Sequence, residues 1–112
     1  MIDQDEWGRD PAVQSMRRVF KSMEKAQSNF FLRSQISLFD DRIGRWRERA
    51  LTVFERMWSY ASQKGILMDE EKAADLYIYS LARVMNSDRV EVPDEVLPQN
   101  LDIKEIFEEA FA

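Results

Sequence analysis

The 112-residue sequence predicts an all-α fold, a compact bundle of three longer helices plus a short C-terminal amphipathic helix, and three observations carry that prediction. Three glycines and three prolines leave too little punctuation for a fold of many β-turns. The strong helix formers Ala, Leu, Met, Glu, Lys and Arg fill much of the rest. Over two long stretches apolar residues recur at steps of three and four, the spacing that lines up side chains on one face of a helix.

Asp10-Pro11 opens the first helix, as an N-cap acceptor followed by a proline where its missing N–H is no loss. Val13, Met16, Phe20, Met23 and Phe30, with Val19, Ala26 and Phe31, then share an arc of about 140°. The second series is stronger: Ile36, Phe39, Ile43, Trp46, Ala50, Val53, Met57 and Tyr60, extended by Leu51, Phe54, Trp58 and Ala61. Carried through in helical phase, its face lies about half a turn from the first. One unbroken helix across both would be roughly 75 Å long and could not turn both faces to one core. A break is therefore expected within 27–41, although no Gly or Pro marks it.

Gly65 is expected to end the second helix in the left-handed conformation. Asp69, Glu70 and Glu71 supply a cap and a negative first turn for a third helix, which runs to about Asn86 with Ala74, Tyr77, Ile78, Leu81, Val84 and Met85 on its inner face. Residues 89–101 hold two prolines and read as an extended connection with one helical turn. Asp102 and Glu105 have the spacing of a capping box and open the last helix, whose apolar face is Ile103, Ile106, Phe107, Ala110 and Phe111. Nine residues are too few for a stable helix alone, so this segment must dock: Leu76 and Tyr79 are one candidate receptor, and docking on another chain would instead give a swapped oligomer or a tail that binds a partner groove. The whole of 1–112 is expected to be one domain, with residues 1–9 flexible.

Composition excludes more functions than it suggests. Without cysteine or histidine there is no disulfide, thiolate metal site, Ser-His-Asp triad or imidazole ligand. The acidic clusters Asp69/Glu70/Glu71/Asp75, Glu91/Asp94/Glu95 and Glu105/Glu108/Glu109 have the structural roles of helix start, solvated loop and wet helix face, and none has calcium-loop spacing. The chain is therefore read as no enzyme, with no cofactor and no metal; carboxylate-only magnesium chemistry is the remaining catalytic option. No apolar run is long enough to span a bilayer, and the acidic start MIDQDEWGRD is unlike a secretory signal, so a cytoplasmic protein is expected.

Charge is divided along the chain. Residues 1–68 carry 12 basic and 9 acidic groups, whereas residues 69–112 carry 4 and 12. Arg42, Arg45, Arg49 and Arg56 form one stripe of the second helix, flanked by Asp41, Glu48 and Glu55 at pair-forming spacings, and are expected to be neutralised there. Apolar side chains cover about 180° of that helix, more than the 100° or so a surface helix needs. Trp46, Met57 and Trp58, together with Leu76 and Tyr79 on the third helix, are accordingly the expected partner-binding residues. They suggest either a central helix or a subunit interface. The expected function is a helical protein–protein interaction module that self-associates as a homo-oligomer. The alternative is a nucleic-acid-associated subunit using the basic patch Arg17, Arg18, Lys21 and Lys25 on the first helix, which an acidic chain of pI 4.8 disfavours.

Overall fold

A single 18-residue helix touches all the others. The computed structural model describes residues 11–111 and contains α1 (Pro11–Arg33), α2 (Ile43–Gln63), α3 (Glu70–Ser87), a 3-10 turn at Asp94–Val96 and α4 (Leu101–Ala110). Residues 1–9 and the Asp10 cap lie outside the described residues, as do the side chains of Val13 and Met16. Among the described residues there is no strand, and no helix is long and apolar enough to cross a membrane.

α1 and α2 lie along α3, and α4 packs across α2 and α3. The reason is in the sequence of α3. Ala73, Leu76, Tyr77, Ile78, Ser80, Leu81, Ala82, Val84 and Met85 are all buried, so this helix is apolar nearly all round and must be covered from several sides. Its one fully buried hydroxyl, on Ser80, donates to the Leu76 carbonyl at 2.8 Å and leaves no orphan donor.

All three long helices end in the same device. Gln35, Gly65 and Arg89 have φ of 62°, 79° and 64°, and the N–H of each following residue donates to the carbonyl five residues back: Ile36 to Phe31, Ile66 to Ala61 and Val90 to Met85. This is the Schellman arrangement, and its outermost residue is apolar each time and rests on the core. The expected break therefore falls at Ser34-Gln35, inside 27–41, with glutamine in the conformation usually given to glycine. An apolar residue in the next position supplies the compensation.

Two local expectations are corrected. Ile36 and Phe39 do not extend the face of α2: residues 34–42 are a loop, in which Ile36 closes the end of α1 and Phe39 is 96% exposed. That loop is held by Ser37, whose Oγ accepts from the Phe39 N–H, and by Asp40, which accepts from the backbone and guanidinium of Arg42. The last helix is capped by Asn100 rather than Asp102: the Asn100 side chain accepts from Ile103 N–H at 3.3 Å, which starts α4 at Leu101. Asp69 caps α3 as expected, accepting from Lys72 N–H at 2.8 Å.

α4 docks on its own chain. Ile103 and Ile106 are buried, Phe107 lies against Tyr79 with ring centroids 5.6 Å apart, and Arg83 sits 3.4 Å over the ring of Phe111. Leu76 is buried and Tyr79 half-buried on the side of α3 that α4 and the preceding connection cover; the Tyr79 hydroxyl donates to the Pro98 carbonyl at 2.8 Å.

Two outcomes follow from these contacts. Gly65→Ala lowers stability by about 1–2 kcal/mol, because no side chain is welcome at that positive φ, whereas Gln35→Gly leaves stability unchanged or raises it by up to about 1 kcal/mol in chemical denaturation. The second concerns Asp75, whose carboxyl is pushed above its usual range by burial and by Glu71 and Asp69, against the opposing hydrogen bond from Asn100. A raised folded value means the native state holds this proton more tightly, so its charge costs stability at pH 7 and the cost vanishes as pH falls through that value. Asp75→Asn therefore raises the melting temperature at pH 7 and leaves it unchanged near pH 3; equal shifts at both pH values contradict the assignment.

Candidate functional site

The residues expected at a partner surface divide into two groups. Trp46 and Leu76 are fully buried and Met57 is 2% exposed, all within this chain's own core. They are therefore not available to a partner in the folded protein. The wide apolar arc of α2 is explained by its two neighbours, α3 and α4. Trp58 and Tyr79 are half-buried at the core's edge.

Trp46 also shows where the arginine stripe is neutralised. Its indole N–H donates to Asp88 Oδ2 at 2.8 Å, Arg49 donates to Asp88 Oδ1 at 2.9 Å, and Arg45 approaches the same carboxylate at 3.7 Å. Asp88 follows the last residue of α3, so the acid comes from a different helix and not from Asp41, Glu48 or Glu55. The hydrogen bonds from Arg49 and Trp46 hold the Asp88 carboxyl below its usual range. Arg42 turns back to Asp40, whose carboxyl is held down at about 2 by that pairing, and also lies 4.7 Å above the Trp46 ring.

With Arg42, Arg45 and Arg49 and three of the large apolar residues thus engaged, an accessible feature that remains is a groove. α1 and α2 both pack on α3 but share no extensive contact with each other; they meet where Phe31 stacks on Trp46 at 6.5 Å. Between them runs a cleft of about 140 Å³ lined by Phe20, Met23, Glu24 and Gln27 from α1, Arg47 and Leu51 from α2, and Tyr77 from α3. Phe20 is 47% exposed and Leu51 38%, while Met23 and Tyr77 are nearly buried. Further along α2, Phe54 meets Tyr77 and Trp58 edge-on at 6.1 and 5.5 Å, so residues 47, 51, 54 and 58 form one wall at helical spacing. Tyr77 donates to Gln27 Oε1 at 2.7 Å across the floor; burial raises its hydroxyl pKa, which nearby Arg47 partly offsets. The chemistry on offer is apolar contact flanked by one acid and one guanidinium.

The basic patch is exposed on α1. Arg18, Lys21 and Lys25, with Ser22, border a second hollow of about 280 Å³ whose one acid is Glu70, at the start of α3; Arg17 is exposed beside them. Among the described residues no group of three or more acidic side chains is placed to hold a metal ion.

Sequence reasoning placed Phe20, Leu51 and Tyr77 on three separate apolar faces and did not join them, because only the splay of α1 and α2 over α3 brings them together. Against models of known families, characterised proteins and solved structures the chain matches none, so the site is read from its own side chains. Tyr77→Phe removes the bond that ties the groove's floor to α1 and costs about 1 kcal/mol of unfolding free energy, measured by urea titration; no loss means the Gln27 contact carries no weight.

Proposed function

We propose that this chain is a non-catalytic helical protein–protein interaction module that self-associates through apolar helix faces, with the α1–α2 groove as its docking surface. The observation that supports this reading is the pair of large apolar side chains, Phe20 and Leu51, left facing solvent on either wall of a cleft whose floor is already dry. Fully burying a side chain of this type is worth about 1.5–3 kcal/mol, so covering the exposed part of two of them is a sizeable share of a binding energy. A helix laid in such a groove reads its apolar wall through residues at steps of three and four. A cytoplasmic location accords with a chain that has no cysteine.

The competing reading, a nucleic-acid-associated subunit, has one feature in its favour: the exposed row Arg17, Arg18, Lys21 and Lys25. It leaves the apolar groove between α1 and α2 without a use. Phosphate contacts of this kind also predict binding that falls steeply with salt.

The test is molar mass by light scattering on a sizing column, with circular dichroism to verify folding. The wild-type chain is expected to exceed its monomer mass of 13.3 kDa in a concentration-dependent way. Replacing both walls, Phe20→Ser with Leu51→Ser, is expected to weaken association by about thirtyfold, the equivalent of about 2 kcal/mol. Association that is indifferent to both substitutions removes the groove from the interface.

A further inference from the structure

We infer that self-association pairs the basic outer face of α1 in one copy with the acidic outer face of α4 in a second copy, reciprocally; this rests on the self-association read above and adds its geometry. On α1, Arg18, Lys21 and Lys25 fall within about 60° of arc and are exposed. On α4, Asp102, Glu105, Glu108 and Glu109 fall within about 120° and are exposed as well. Each face extends over about 10 Å of helix, from the 1.5 Å rise per residue.

The two faces cannot satisfy each other within one chain. α1 packs on α3, whereas α4 packs on α2 and α3, and the charged helices have no extensive contact. Lys21, Lys25, Glu105 and Glu108 form no ion pair among the described residues. The local charges near each face only partly balance it. Glu70 borders the basic row, and on the acidic side Lys72 reaches Asp102 at 3.9 Å and Lys64 reaches Glu109 at 3.8 Å. Both contacts are long and mostly solvated, the kind worth little and readily exchanged.

A second copy supplies each face with its complement. In an isologous pair the contact occurs twice, since the α1 of each copy meets the α4 of the other, so one symmetry axis satisfies four charged faces. The basic row and the α1–α2 groove lie on different sides of the same helix, so the charged pairing and the cover of Phe20 are separate contacts of one assembly. Charge complementarity then sets orientation and encounter rate and adds affinity that salt screens, without which the partial apolar cover of the groove is too weak to hold the pair.

The experiment compares the full-length chain with two charge-reversed variants, Lys21→Glu with Lys25→Glu and Glu105→Lys with Glu108→Lys, by light scattering in 50 mM and 500 mM NaCl, after circular dichroism shows each to be folded. The wild type is expected to dimerise at low salt and to dissociate as salt rises. Each variant alone is expected to be monomeric, because both of its contacts become like-charged. An equimolar mixture is expected to form a heterodimer, because both contacts are then opposite in sign again. Variants that dimerise like the wild type overturn the charged pairing while leaving the groove to be judged by Phe20→Ser with Leu51→Ser. A wild type that stays monomeric at every concentration overturns both. A wild-type monomer that shifts a 20-base-pair DNA duplex, with the shift lost in the lysine variant, also overturns the pairing and assigns the basic face to nucleic acid.

Discussion

The structure depends on α3 being covered. A helix with nine of its eighteen residues buried, including Leu76, Leu81 and Met85 with no exposed surface at all, has no stable solvated face of its own. Hydrophobic burial is non-directional, so it requires cover without dictating which helix supplies it. The order of the chain does that: α1 and α2 are long enough to lie along α3, and the ten-residue α4 closes the side where Tyr79 would otherwise be wet. A short helix that could not persist alone is stable here because Ile103 and Ile106 complete the α3 surface.

Direction is then supplied by polar contacts at helix ends. The indole of Trp46 is buried with its N–H aimed at Asp88, so the start of α2 is tied to the end of α3 by a bond that a buried donor cannot do without. A carboxylate just beyond a helix C-terminus meets an unfavourable dipole. Arg49 and Arg45 reverse that penalty by bringing positive charge to the same oxygens. Arg49, Arg45 and Trp46 thus clamp the start of α2 to the end of α3, while Arg47 is left facing the groove. At the same end of the bundle, where Phe31 stacks on Trp46, Arg33 donates to the Glu95 carbonyl at 3.0 Å and ties α1 to the 3-10 turn.

Much of this was legible because helices advertise themselves by period and by caps. The three long elements, the stop at Gly65, the Asp69 cap and the need for the tail to dock follow from spacing and side-chain chemistry, whereas docking on the same chain over Tyr79 is decided only by the fold. The break at Gln35 was legible as a necessity, from two apolar faces out of phase, but not as a position, since a glutamine at φ 62° carries no compositional mark. Phe39 was misplaced for a related reason: it has the correct spacing to Ile43 and Trp46, yet spacing has no meaning where the chain is not helical. Asn100 and Asp102 both suit a cap, and two residues of helix length separate the outcomes. The groove was not legible at all, because it is a property of the angle between α1 and α2, and that angle is settled by α3.

The same distinction decides what an apolar surplus means for function. An arc of about 180° on α2 shows that two surfaces touch that helix, and the fold supplies both from within, as α3 and α4. Width of stripe therefore measures the number of neighbours and says nothing of which chain they belong to. Partial exposure is the more discriminating quantity. A side chain such as Met57, at 2%, has no free energy left to give an interface, whereas Phe20 at 47% retains about half of its own. Phe20 is also placed across the cleft from Leu51 and Arg47, so a partner covering it meets apolar surface and one guanidinium together. An occupant with an apolar stripe and an acidic flank fits that combination; α4 has that pattern, but its own stripe is already spent on α3.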